Sequence, residues 1–153
     1  MNIYTDGSCL GNPGIGGWGF IIVCADGNIY KWGNSEKQTT NNEMEMTAVI
    51  KCIEFCKLKK IENDLIIHTD SNYVKMGITK WIQSWKKNDW KNSKKEIVKN
   101  IELWKILDSL IEEYPYSIEF KHVKAHSTNI MNNKVDELAN AAAKSTVTTD
   151  LID

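Results

Sequence analysis

Arginine is missing from this chain: all 19 basic residues are lysine. Any phosphate contact must therefore use an ammonium point charge, because no guanidinium is present to grip two oxygens at once. Proline occurs only at Pro13 and Pro115, and cysteine only at Cys9, Cys24, Cys52 and Cys56. Four scattered cysteines do not make a disulfide framework. A reducing, intracellular compartment is expected, the cytoplasm first, with nucleus or organelle as alternatives. No apolar run approaches the roughly 20 residues of a membrane-spanning helix, so no membrane association is expected. Residues 1–6 have neither the basic region nor the apolar core of a secretory signal. Charge of one sign is lacking too. The 19 lysines face 20 acids for a net charge of -1, which excludes a globally basic nucleic-acid binder.

What is present fits one globular domain. The 153 residues are 42% hydrophobic and 25% charged, values that exclude disordered and collagen-like chains. The domain is expected over residues 1–146. The tail 147–153 carries no motif and is expected to be disordered. Residues 3–6 suit a strand, and the four glycines and Pro13 within residues 9–17 suit a turn. Residues 18–24 and 29–32 suit strands joined at Asp26-Gly27. The period then changes. Val49, Cys52, Ile53 and Cys56 form a helical stripe within residues 42–58, which Asn41 or Asn42 can cap. The compact apolar run 65–69 suits a buried strand. Ser71 can cap a short helix, and residues 79–85 and 98–111 read as helices. Residues 117–123 alternate like a strand, and Val135, Leu138, Ala139 and Ala142 give a last helix. This order predicts an α/β fold with one mixed sheet and helices packed on it.

Four carboxylates carry the first functional signal. Asp6 and Asp70 fall where the first strand and the apolar strand end, the place where open α/β sheets bind ligands. Glu45 lies four residues before Val49 and seven before Cys52, on their inward face, where an unpaired carboxylate is costly. Asp136 falls in the first turn of the last helix. Each also has a structural reading: Asp6 as a turn residue, Asp70 at a helix start, Asp136 complementing a helix dipole. If the four meet, mutual repulsion raises their pKa values unless a divalent cation neutralises them, and hard oxygen ligands favour Mg²⁺ or Mn²⁺.

A second signal is basic and aromatic. Residues 81–105 hold Trp81, Trp85, Trp90 and Trp104 with seven lysines against three acids, a net +4 that leaves the rest near -5. Lysines interleaved with aromatics suit a nucleic-acid backbone, and an amphipathic surface helix with partly buried tryptophans is the alternative.

Five ordered blocks then resemble the type 1 ribonuclease H family: Thr5-Asp6-Gly7-Ser8 with the glycine-rich turn, Thr39-Thr40-Asn41-Asn42-Glu43-Met44-Glu45, Thr69-Asp70-Ser71-Asn72, Val123-Lys124-Ala125-His126, and Asp136-Glu137-Leu138-Ala139. Residues 77–91 resemble the basic protrusion of the cellular and bacterial enzymes. The resemblance implies a ribonuclease H-like fold, with a five-stranded mixed sheet of three antiparallel N-terminal strands and two parallel additions. It also implies an endonuclease hydrolysing the RNA strand of RNA/DNA hybrids, acting as a monomer and leaving 3′-hydroxyl and 5′-phosphate ends.

The resemblance places metal ligands at Asp6, Glu45, Asp70 and Asp136, with two Mg²⁺ ions about 3.5–4 Å apart, Mn²⁺ as a substitute, and a mobile-loop histidine at His126. Asp6 would bridge both ions. Asp70 and Asp136 would serve the nucleophile side, and Glu45 the other ion and the 2′-hydroxyl. It implies minor-groove contacts from Cys9, Asn12, Asn42 and Asn72, and a DNA-phosphate pocket at Thr40 and Asn41. The remaining carry-overs are a channel at Trp81, Trp85, Lys86, Lys87, Trp90 and Lys91, and a loop-positioning role for Asn132. Glu43 stands where the bacterial pattern carries an arginine, which predicts weaker hybrid binding. His68 and His122 read as structural. Rival readings are a related nuclease cutting DNA, a non-catalytic hybrid-binding module, and a zinc site at Cys52 and Cys56.

Overall fold

The computed structural model describes the backbone of residues 1–124 and 129–152, with side chains through residue 145. Three antiparallel-linked strands come first: β1 (Asn2–Cys9), β2 (Gly14–Val23) and β3 (Ile29–Thr39). The helix α1 (Asn41–Leu58) leads to β4 (Leu65–Thr69). Then follow α2 (Asn72–Met76), a π-helical turn at Gly77–Trp81, α3 (Ile82–Lys87), α4 (Ile101–Glu113), β5 (Ile118–His122) and α5 (Ile130–Ile152). The five strands form one sheet in the order β3-β2-β1-β4-β5. β1 pairs antiparallel with β2 and parallel with β4, and β4 pairs parallel with β5. No described helix is long and apolar enough to cross a membrane.

The core lies between the sheet and α1. Val49, Cys52, Ile53 and Cys56 are fully buried against Ile3, Ile22 and Ile67, so the helical stripe faces inward as its period requires. The opposite face of the sheet receives α5. Gly17 lies so close to this helix that a Cβ there would overlap the Ala139 carbonyl, and one at Gly19 would press on Leu138. Glycines in β2 therefore let α5 reach the sheet.

Several boundaries differ from the sequence expectation. β1 runs to Cys9, so the connection to β2 is only residues 10–13, closed by the Leu10 amide donating to the Ile15 carbonyl at 2.7 Å. β3 continues past Trp32 to Thr39 through mostly exposed polar residues, held by pairing with β2 at the sheet edge rather than by burial. The helix expected at 79–85 belongs to a longer helical run from Asn72 to Lys87. α4 starts at Ile101, because Asn100 adopts a left-handed φ of 61° that interrupts the helix there. α5 starts at Ile130, with Asn129 Oδ1 accepting the Asn132 amide at 2.9 Å. Asp136 therefore sits in the second turn, not the first. The backbone of α5 continues into residues 147–152.

Candidate active site

The parallel pairing of β1 with β4 ends at Thr5–Thr69. Asp6 is the first residue beyond it on β1, and Asp70 follows the last residue of β4. Where two parallel strands part, a crevice opens at their carboxyl ends, and both acids stand in it. Glu45 reaches the same place from α1. A Cβ on Gly7 would overlap the backbone of Met44 and Glu45, so glycine at this position is what lets the helix close on the strand. The Gly7 amide donates to both the Asp6 and the Glu45 carboxylates.

Asp6 and Glu45 are only 4% and 7% exposed, and Asp70 is half-buried. One ligand oxygen from each of the three lies within 4.8 Å of the others. Burial pushes the Asp6 carboxyl far up, and the neighbouring Glu45 and Asp70 push it further. Burial also raises Glu45, to about 8, against the partial relief of its hydrogen bonds with Asp6 and the Gly7 amide. In the metal-free protein the pair thus holds a proton near neutral pH. Glu45 Oε2 is buried with no hydrogen-bond partner. An orphaned carboxylate oxygen beside two more acids fits a hard divalent cation, which would satisfy the oxygen and replace the proton. Among the described residues this is the one such group of three or more possible metal ligands. Cys52 and Cys56 belong to the core, where burial pushes both thiols up, Cys56 to about 12.

The acids line an open cleft of about 470 Å³ that also takes in Asp136, Cys9, Asn41, Asn42 and Asn72. Asn12 stands beside it, its Oδ1 accepting the Asn41 amide at 3.2 Å. Thr40 caps α1, with its hydroxyl accepting the Glu43 amide at 3.2 Å. A separate groove of about 760 Å³ brings Trp81, Trp85 and Lys91 together with Ser84, Asn88 and Lys95. Its two aromatic lining residues, Trp81 and Trp85, belong to a larger cluster. Tyr73, Trp81, Trp85 and the fully buried Trp104 form a ring of contacts with centroids 5.2–5.9 Å apart.

Other positions come out differently from one another. Lys86 is drawn to α4, with its Nζ 2.9 Å from Asp108 and 2.7 Å from Glu112, whereas Lys87 is exposed. Trp90 is half-buried, with the Lys105 ammonium 5.7 Å from its ring. Asn132 is buried and its Oδ1 has no partner. His126 lies outside the described residues. His68 is half-buried and stacks on Tyr4 at 4.5 Å, whereas His122 is exposed at the end of β5. Sequence reasoning missed Ser8 and Asn140, which are hydrogen-bonded at 2.7 Å beside the cleft. Ser8 lay inside the first motif, and Asn140 follows Asp136 by one helical turn. That spacing was the available signal.

A five-stranded sheet in this order, with buried acids where its central parallel strands part, is the architecture of ribonuclease H-like folds. The chain belongs to the RNase H family, whose sequence model matches residues 1–144, and it is a ribonuclease H enzyme. Ribonuclease H of Legionella pneumophila (strain Corby) is 49% identical over 140 residues, covering 92% of this chain and 94% of the relative. Ribonuclease H of Cyanothece sp. (strain PCC 7425 / ATCC 29141) is 43% identical over 141 residues, covering 92% and 87%. Among solved structures, LC9-RNase H1, a type 1 RNase H with the type 2 active-site motif, superposes with a TM-score of 0.80 at 29% identity, covering 94% of this chain and 72% of that one. LC11-RNase H1 in complex with RNA/DNA hybrid shares the fold, with a TM-score of 0.74 at 24% identity over 95% and 98%.

Proposed function

We propose that the chain hydrolyses the RNA strand of RNA/DNA hybrids at the cleft between β1 and β4, leaving 3′-hydroxyl and 5′-phosphate ends. The observation that carries this is the group of buried Asp6 and Glu45 with half-buried Asp70, with an orphaned oxygen on Glu45, in a chain of the RNase H family. The catalytic unit is residues 1–146, acting as a monomer in a reducing intracellular compartment.

Asp6, Glu45, Asp70 and Asp136 would hold two divalent cations, Mg²⁺ first and Mn²⁺ as a substitute. Bound there, such ions would supply Lewis acidity, making a water easier to deprotonate at neutral pH and offsetting charge on the phosphate and the leaving oxygen. Water's oxygen joins phosphorus, the bond from phosphorus to the 3′-oxygen breaks, and that oxygen takes up a proton. His126 is assigned the proton transfer or the release of product. Glu45 is assigned the neighbouring 2′-hydroxyl, the group that tells RNA from DNA. Cys9, Asn12, Asn42 and Asn72 would face the minor groove, and Thr40 and Asn41 a DNA-strand phosphate.

The groove at Trp81, Trp85 and Lys91, with Lys87 and Trp90, would follow the DNA backbone, packing rings against sugar while lysines meet phosphate. Lys86, tied to Asp108 and Glu112, would brace that segment. Asn132 would position the loop of His126.

The test is a short labelled hybrid with Mg²⁺, run beside single-stranded RNA, duplex DNA and duplex RNA of the same sequence, with Asp6→Asn as control. Cleavage of the hybrid alone, lost with EDTA and in the variant, is the expected result. Cleavage of duplex DNA would point to a related DNA nuclease. Hybrid binding without turnover in Mg²⁺ or Mn²⁺ would point to a binding module.

A further inference from the structure

We propose that Asn140 is a positioning residue that aims the Asp136 carboxylate at the acid group and so sets the affinity of the cleft for divalent cations. The inference rests on the assignment of Asp136 to that site. Asn140 follows Asp136 by four residues, so the two stand one above the other on α5. Its Nδ2 donates to the Asp136 carbonyl at 3.0 Å and lies 3.4 Å from Asp136 Oδ1. Its Oδ1 accepts the Ser8 hydroxyl at 2.7 Å.

The orientation of the carboxamide is determined. Both Asp136 groups accept only, so the amide nitrogen must face them, and the oxygen is left for Ser8, whose hydroxyl can donate. Ser8 is two residues beyond Asp6 on β1, and side chains two apart share one face of a strand. Asp6 and Ser8 therefore face α5 as Asp136 and Asn140 face β1. Asp6 pairs across the sheet with Gly19 and Ser8 with Gly17, the two glycines that let α5 approach. Each element contributes one acid and one neutral residue, and the neutral pair ties the elements together.

This tie answers a specific electrostatic problem. Asp136 is not among the three acids whose oxygens gather within 4.8 Å. A half-exposed carboxylate beside that group is repelled by it and has rotamers leading away to solvent. The amide of Asn140 offers it a donor that is itself anchored to β1 through Ser8.

The test is calorimetric titration of the full chain with MgCl₂ and, separately, MnCl₂, without nucleic acid. Asn140→Leu keeps the branched shape and loses all three hydrogen bonds, while Asn140→Gln keeps an amide. Partners that orient metal ligands typically contribute about 10-fold or more to affinity. Asn140→Leu is expected to weaken cation binding by about 10-fold, with kcat recovering at saturating Mg²⁺ and KM for hybrid unchanged. Asn140→Gln is expected to fall between. Ser8→Ala removes the anchor without touching α5 and is expected to weaken binding in the same direction. It decides the question if Asn140→Leu fails to fold.

A folded Asn140→Leu, or failing that Ser8→Ala, with cation affinity equal to the parent overturns the proposal. Asp136→Asn separates the two levels. If it weakens cation binding while the Asn140 and Ser8 variants do not, only the positioning role falls. If Asp136→Asn also leaves affinity unchanged, the assignment of Asp136 to the site falls with it.

Discussion

The hydroxyl of Thr40 donates to the Glu43 carboxylate at 3.2 Å, and the Glu43 amide donates back to the same hydroxyl at 3.2 Å. This reciprocal cap starts α1, and the Thr39 hydroxyl joins it at 3.4 Å. It also seats an anion on the hydroxyl assigned to a DNA phosphate. Exchanging that anion for a cation changes two charges, each worth roughly 0.5–1 kcal/mol at a half-buried surface site, or about 2–5-fold in hybrid binding per charge. Glu43→Arg is expected to tighten hybrid binding at fixed salt, and Glu43→Gln to do so by less. An unchanged Kd for Glu43→Arg in a normally folded protein would sink the idea.

The proton shared by Asp6 and Glu45 makes stability depend on pH in a sense opposite to that of most salt-bridged acids. Burial raises Glu45 from its ordinary 4.5 to about 8, and Asp6 moves in the same direction. Between those pH values the native state binds more protons than the unfolded chain, so stability falls as pH rises. The stabilisation is complete below the ordinary carboxylate range and is lost as pH climbs through about 8. In EDTA, Tm is expected to drop from pH 5 to pH 8.5 by on the order of 5 °C. Asp6→Asn should flatten this slope and raise Tm in EDTA at the alkaline end, because it removes one of the repelling charges. Saturating Mg²⁺ should flatten it in the parent. A metal-free Tm that rises across this range contradicts the shared proton.

Much of the site was legible because its signals are local. Asp70 follows the end of the apolar strand β4, Asp6 stands where the pairing of β1 with β4 stops although β1 itself runs on to Cys9, and Glu45 stands four and seven residues before buried residues of its own helix. The roles of Ser8, Asn140 and Lys86 were not legible in the same way. Lys86 reads like its neighbours in a lysine-rich run, and the acids that hold it lie 22 and 26 residues further on, across a helix crossing. Ser8 and Asn140 are 132 residues apart and meet only because glycines in β2 admit α5. The long edge strand β3 was read short because its second half is polar: backbone pairing to β2 forms it, and hydropathy carries no trace of that.

Gly7 links the closeness of α1 and β1 to the acid group. A side-chain carbon there would overlap the backbone of Met44 and Glu45, so the helix must move off the strand and take Glu45 with it. Overpacking of this kind typically costs about 1–3 kcal/mol, or roughly 2–12 °C in Tm for a domain of this size. Gly7→Ala is expected to lose cation affinity as well as stability. Gly77→Ala, whose Cβ would overlap the buried Trp104 ring, is expected to lose stability with cation affinity intact. Calorimetry and thermal melts on both variants check this. Equal cation affinities would remove Gly7 from the construction of the site.

The lysines near the aromatic groove should separate by their partners. Lys91 lines the groove, whereas Lys86 is held by two acids on α4. A lysine that neutralises one phosphate contributes close to one unit to the slope of log binding constant against log salt. Lys91→Gln is therefore expected to lower the hybrid-binding salt slope by about one while leaving Tm nearly unchanged. Lys86→Gln is expected to change the slope by much less and to lower Tm slightly, since it leaves Asp108 and Glu112 facing each other without their cation. Hybrid titrations at several salt concentrations with the full chain distinguish the two. A Lys86→Gln slope change as large as that of Lys91→Gln would mean that the substrate displaces the α4 acids and takes the ammonium for itself.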